Sequence, residues 1–211
     1  KWNQAEPWIN KSAQQGFPFA NHLLGDSYQY GYFGKQDDLK AYLAYNEAAM
    51  KYYPKSQLNV GYFDDIGKVV EKDQQVAISW FFLCSKATNL TCIDNLGIYF
   101  REGIVVDRNL EVAANYFKFA SGKGYSDSTV NLALLYQTGE GVKTDLGKAN
   151  ELFAIACQDL NGKACNYLGN NYLDGMGVNI NLDKAQELFE KACNSGYSDG
   201  CNQLASLKKT T

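Results

Sequence analysis

Leu168-Gly169-Asn170-Asn171-Tyr172-Leu173-Asp174-Gly175-Met176-Gly177-Val178 decides the fold, because its landmarks return at a fixed distance along the chain. Counting back from Leu168-Gly169 in steps of 36 meets Leu132-Ala133, Leu96-Gly97, Val60-Gly61 and Leu24-Gly25, and one step forward meets Leu204-Ala205. Four residues after each first member stand Tyr28, Asp64, Phe100, Tyr136 and Tyr172, and three further on Gly31, Gly67, Gly103, Gly139 and Gly175. Ala41, Ala77, Ala113, Ala149 and Ala185 follow at one phase, then Tyr45, Phe81, Phe117, Phe153 and Phe189 at another. A period of this size, held without a net gap, marks a repeat architecture.

Each period reads as two helices. In the Leu-Gly-x-x-Tyr stretch, apolar side chains at i and i+4 share one face of a helix of about three turns. The glycine beside the leucine carries no side chain, so a neighbouring helix can approach the backbone. The later phased glycine, doubled in Gly139-Glu140-Gly141 and Gly175-Met176-Gly177, suits a helix C-terminus that needs positive φ. Asp145-Leu146 and Leu182-Asp183 then open a second helix, with acidic and amide residues to cap it. A lone hairpin cannot bury its apolar stripe, whereas stacked copies can. The expected fold is all-α, an α/α superhelix (solenoid) of helical hairpins with a 36-residue period in a single domain. Its expected divisions are a half repeat at 1–19, full repeats at about 20–55, 56–91, 92–127, 128–163 and 164–199, and a half repeat at 200–211.

Composition narrows the function. The 211 residues are 45% hydrophobic and carry a net charge of -3, which offers no basic field for a phosphate backbone and argues against nucleic acid as a partner. The longest apolar stretch, Val76 to Cys84, is interrupted by Ser79 and falls far short of the ~20 residues of a membrane span. Residue 1 is Lys and no charged-then-apolar leader follows, pointing to a removed signal peptide or a chain cut there. Six cysteines form three pairs of equal spacing: Cys84 and Cys92, Cys157 and Cys165, Cys193 and Cys201. Many connectivities are open in principle, and the repeated spacing suggests a local bridge within each pair. Even, patterned cysteines indicate an oxidising compartment, periplasmic or secreted. Zinc-type C-x2-C spacings are missing and His22 is the only histidine, so neither a metal site nor a cofactor is expected.

The stretch from Leu168 to Val178, the Lys184-Ala185 pair and Phe189-x-x-Ala192-Cys193 together resemble the Sel-one-like repeat family, relatives of the tetratricopeptide repeats. Cysteines eight apart across a hairpin junction are similar to those of the Helicobacter cysteine-rich proteins. The resemblance covers nearly the whole chain and is sharpest from Leu96 onward. It is loosest over residues 24–80, where Tyr32-Phe33-Gly34 and Lys68-Val69-Val70 replace Gly-x-Gly-Val. Cysteines are also missing at the equivalent junctions Ala13/Asn21, Ala49/Gln57 and Ser121/Thr129. The resemblance implies tetratricopeptide-like hairpins and binding rather than chemistry. The implied role is a monomeric adaptor, inhibitor or immunity protein of a secreted bacterial toxin, holding an extended segment or loop of another protein.

In hairpins of that kind the first helices line a concave groove, and the residue before each Leu-Gly points into it. Here those residues are Leu23, Asn59, Asn95, Asn131, Tyr167 and Gln203. An amide offers a donor and an acceptor together, matching a peptide backbone. Neighbouring positions add His22, Asp94, Asn166 and Asn202, the next turn adds Asp26, Tyr62 and Asn170, and Arg101 and Gln137 lie beyond. The protein-binding candidates are therefore Asn59, Tyr62, Asp94, Asn95, Arg101, Asn131, Asn166, Tyr167 and Asn170. The competing reading is that these amides interlock neighbouring helices. Tyr28, Tyr30, Tyr32, Phe33, Tyr52 and Tyr53 exceed what the repeat demands and suggest a second contact surface.

Some cysteine-rich relatives are described as binding penicillin or slowly cleaving β-lactams, so a β-lactam-binding or cell-wall-modifying enzyme is the alternative. Ser206-Leu207-Lys208-Lys209 has S-x-x-K spacing, but Ser198-Asp199-Gly200 and Lys143-Thr144-Asp145 depart from the S-D-N and K-T-G that such enzymes use. No serine or cysteine stands at a telling distance from His22, which is expected at the surface or in the groove. Asp37-Asp38 and Asp64-Asp65 are expected at solvated loops or helix ends. No catalytic residue is assigned.

Overall fold

The computed structural model describes residues 2–210, with side chains from 4 to 207. The described residues form twelve helices and no strand: α1 (Trp2–Gln14), α2 (Pro18–Tyr30), α3 (Asp38–Ala49), α4 (Pro54–Ile66), α5 (Gln74–Ser85), α6 (Leu90–Glu102), α7 (Leu110–Gly122), α8 (Ser126–Thr138), α9 (Leu146–Gln158), α10 (Gly162–Asp174), α11 (Leu182–Asn194) and α12 (Ser198–Thr210). Helix starts within the even series, and within the odd series, are 36 residues apart. The all-α reading holds: even helices carry the Leu-Gly stretch and odd helices the alanine and aromatic positions.

The boundaries follow from local chemistry. Asp37, Asp73, Asn109, Asp145 and Asn181 precede α3, α5, α7, α9 and α11, and each accepts a backbone N–H of the first turn through its side chain. Such a cap contributes about 1 kcal/mol. Most even helices end at the phased glycine, as at Gly175 with φ +74°, a left-handed geometry that glycine adopts without steric cost.

Contacts divide the chain into two units, one ending at Asp107 and one beginning at Arg108. In the first unit, Ala41, Tyr45, Ala49, Val60 and Phe63 form a buried cluster with Tyr28, Tyr42, Val69 and Trp80 packed against it. Tyr45 and Phe81 are fully buried, each lying over the glycine of the first helix before it. A Cβ at Gly61 would stand only 2.7 Å from Phe81 Cε1, so the missing side chain is what admits the ring. In the second unit, Phe117, Phe153 and Phe189 are likewise fully buried, and a Cβ at Gly169 would stand 2.6 Å from Phe189 Cε1.

The three disulfides pair as the spacing suggests. Cys84–Cys92 joins α5 to α6, Cys157–Cys165 joins α9 to α10, and Cys193–Cys201 joins α11 to α12. Each closes the turn that leads from an odd helix to the next even one.

Candidate functional site

In the first unit, α2 and α4 face each other and enclose a hollow of about 120 Å³ lined by Gln29, Asn59, Tyr62, Phe63, Ile66 and Lys68. Two groove candidates, Asn59 and Tyr62, thus meet at one place. The Tyr45 hydroxyl lies within hydrogen-bond distance of Asp26 Oδ1 (2.7 Å) and Gln29 Oε1 (2.6 Å), so Gln29 both links α2 to α3 and lines the hollow. Tyr62 is 37% exposed and its ring stands edge-on to Phe81, 5.7 Å away. On α6, Asp94 is buried and Asn95 is half-buried, with its Nδ2 enclosed and without a hydrogen-bond acceptor among the described residues. Arg101 pairs through Nε with Glu102 Oε1 at 2.7 Å.

In the second unit, Asn131 and Asn166 are buried, and Asn166 Oδ1 has no hydrogen-bond donor among the described residues. Tyr167 stacks on Phe153 with ring centroids 5.3 Å apart, and Lys163 Nζ lies over the Tyr167 ring at 6.0 Å. Asn170 is half-buried. Its neighbour Asn171, which the repeat phase did not single out, is the more connected residue. Asn171 Nδ2 donates to Asn150 Oδ1 at 2.7 Å, Asn150 Nδ2 donates to Met176 O at 2.8 Å, and Gln137 Nε2 donates to Asn171 Oδ1 at 3.3 Å. This chain of amides ties α8, α9 and α10 together, a helix-linking role for Gln137 that the groove reading did not assign.

Two cavities of the second unit also escaped the groove reading. One, of about 520 Å³, lies between α7 and the turn after α8 and includes Asn115, Lys118, Tyr136, Lys143 and Thr144. The other, of about 720 Å³, runs over α10 between α9 and α11, past Cys157, Cys165, Tyr172 and Leu188. Their walls draw on the odd helices, and their size depends on side-chain volumes that the period does not encode.

His22 departs from its expected place. It is 7% exposed, its Nδ1 lies 2.9 Å from Ser56 Oγ, and its Nε2 lies 3.7 Å from Asp26 Oδ2. Tyr45 and Tyr53 flank the ring at 5.5 and 5.0 Å. The correction has a simple cause, since residues nearly one period apart lie side by side on adjacent even helices. Serine, histidine and aspartate are the members of a hydrolytic triad, but Ser56 is 0% exposed and its oxygen cannot meet a substrate. The trio links α2 to α4.

Burial pulls the His22 imidazole below its ordinary pKa, with Asp26 opposing and Lys55 adding to the shift. The unfolded chain then binds more protons than the folded one below about pH 6.5, so stability falls as the pH drops through that region. We expect the melting temperature to fall on acidification from neutral pH, and His22→Gln to flatten the slope. An unchanged slope in that variant would assign the effect elsewhere.

Asp64 is a second correction. It lies in the last turn of α4 but is 4% exposed, and the Tyr42 hydroxyl donates to its Oδ1 at 3.3 Å. Burial raises its carboxyl pKa, with hydrogen bonds from Tyr42 and Trp80 partly offsetting the shift. Its sign is opposite to that of His22, because protonation below the raised value favours the folded state. Asp37, by contrast, is the half-exposed cap of α3.

Ser206 is exposed, while the side chain of Lys209, the other half of the S-x-x-K spacing, lies outside the described residues. Among the described residues, no cluster of histidine, cysteine and carboxylates could hold a metal ion. No described helix is long and apolar enough to cross a membrane.

A family model described as the Sel1 repeat matches residues 18–53, 54–83, 92–125, 126–159 and 162–197. Protein SHC1 of Saccharomyces cerevisiae is 27% identical over 97 residues, covering 46% of this chain, and the chain spans only 19% of that curated relative. The structure of a Sel1 repeat protein from Oxalobacter formigenes matches with a TM-score of 0.90 and 25% identity, over 98% of this chain and 84% of that one. The protective antigen c5321 of uropathogenic Escherichia coli, which displays an SLR fold, matches with a TM-score of 0.84 and 25% identity, over 98% of this chain but 44% of its own. Helicobacter pylori cysteine rich protein B matches with a TM-score of 0.51 and 28% identity, over 65% of this chain and 99% of its own.

Proposed function

Because this chain belongs to the Sel1 repeat family, we propose that it acts by binding: it holds a segment of a partner protein against its even helices, as an adaptor or as an inhibitor of the immunity-protein kind, and performs no catalysis. The observation that carries this reading is the hollow where Asn59 and Tyr62 meet Gln29, Phe63 and Ile66. It combines amides that can pair with a peptide backbone and an apolar wall that can seat a side chain. The partly open Tyr62 ring is the kind of anchor that dominates interfaces. The three disulfides support a periplasmic or extracellular place of work, where such bridges persist.

The test is affinity capture from envelope extract, followed by titration of the retained protein. Asn59→Ala/Tyr62→Ala is expected to weaken that complex by about 2 kcal/mol, roughly 30-fold. Equal affinity of the variant and the original chain would remove this hollow from the interface.

A further inference from the structure

The turn before α2 and the turn before α4 sit together at one edge of the first unit. Lys51 Nζ donates to Gly16 O at 2.7 Å, and the Phe19 and Tyr53 rings are 6.2 Å apart. Large apolar side chains crowd this edge and point outward: Phe17 is 57% exposed, Phe19 58%, Met50 66% and Tyr52 78%. Such a concentration marks an interaction site on a water-soluble surface.

Its charge is equally distinctive. Residues 7–25 and 48–63 contain Lys11, Lys51 and Lys55 but no Asp or Glu, in a chain with 23 acidic residues. The helices behind the turns, α2 and α4, begin with Pro18 and Pro54 and have no side-chain cap, so the positive ends of two helix dipoles face the same way.

Tyr52 adds a backbone argument. It has φ +61°, a left-handed conformation that is a genuine outlier for a bulky residue. At the same repeat phase stand Gly16, Gly124 and Gly196, with φ between +82° and +83°. Thr88 and Leu160 share the geometry, but each lies within a turn closed by a disulfide, and Tyr52 does not. Strain kept where glycine would relieve it points to a use for the side chain.

We propose that this edge docks on the surface of an anionic phospholipid bilayer, with Phe17, Phe19, Met50 and Tyr52 entering the headgroup layer and Lys51 and Lys55 meeting the lipid phosphates. A peptide partner fits less well. Lysine is depleted in protein interfaces, and side chains this exposed stand proud of the surface, where a peptide site would present a cleft. Aromatic residues mixed with lysines are the composition that the membrane interface accepts.

The experiment is co-sedimentation of the purified chain with phosphatidylcholine vesicles, with and without about one-third phosphatidylglycerol. Each lysine near the surface adds about fivefold to anionic-lipid affinity. The original chain is therefore expected to pellet with the anionic vesicles and not the neutral ones, and to be released by salt. Tyr52→Gly should fold at least as well, since it relieves the strain, yet bind at least tenfold more weakly. Lys51→Gln/Lys55→Gln should bind about 25-fold more weakly by the same arithmetic. No pelleting with either vesicle, or equal pelleting of Tyr52→Gly with an unchanged melting curve, would overturn the proposal. So would loss of self-association or of a protein complex in Tyr52→Gly without any vesicle binding by the original chain.

Discussion

Reduction of the disulfides is expected to lower the melting temperature of the second unit about twice as far as that of the first. Cys157–Cys165 and Cys193–Cys201 both lie in the second unit, and Cys84–Cys92 alone in the first. Each bridge closes a short loop, for which the chain-entropy model gives about 2.5 kcal/mol. The second unit should therefore lose about 5 kcal/mol and the first half as much, with roughly 10 °C of melting temperature for each bridge. The sequence supplies a way to see the two separately. Trp2, Trp8 and Trp80, the only tryptophans, all belong to the first unit. Fluorescence thus reports that unit, while far-ultraviolet circular dichroism reports helices throughout. With a phosphine reductant, the dichroism midpoint should fall further than the fluorescence midpoint. In Cys193→Ala/Cys201→Ala only the dichroism curve should move. Equal displacement of both curves would show that the bridges do not act locally.

The repeat was legible because every hairpin solves the same local problem with the same residues. A cap at Asp145, a turn at Gly175 and a bare backbone at Gly169 act within a few residues or a single hairpin, so their spacing survives in the sequence. The bridges were legible for the same reason, each lying within one turn. His22 and Asp64 were not, because their surroundings come from other helices: Ser56 for the first, Tyr42 and Trp80 for the second. Repeat phase identified the helix that each groove candidate occupies but could not determine its exposure. Asp94, Asn131 and Asn166 are buried, whereas Asn95 and Tyr167, which directly precede a Leu-Gly pair, are half-buried, so distance from that pair along the chain does not set exposure. Asn59 and Tyr62 remain accessible to a shared hollow because α2 and α4 leave space between them. The edge at Phe17 and Tyr52 was half legible, since the excess of tyrosines was visible but the adjoining turns were not.

The ring-over-glycine contact should dominate the core of the second unit, and a pair of substitutions can isolate it. Phe189 is 0% exposed, so Phe189→Ala is expected to cost about 3–5 kcal/mol through lost burial and the cavity left behind. Gly169→Ala has two opposing effects. The methyl group would improve helix propensity by about 1 kcal/mol, but it would meet Phe189 Cε1 at 2.6 Å. The ring is hemmed in, and overpacking of this kind costs about 1–3 kcal/mol, so the net change should be destabilising. Phe189→Leu removes the ring edge that the methyl group would strike. In Gly169→Ala/Phe189→Leu the steric term therefore disappears while the propensity gain stays. Urea unfolding of the two single variants and the double variant should give a coupling above about 0.5 kcal/mol, with the double variant more stable than additivity allows. Strict additivity would mean that the glycine serves some need other than room for the ring, and the physical basis of the Leu-Gly signature in this chain would have to be sought elsewhere.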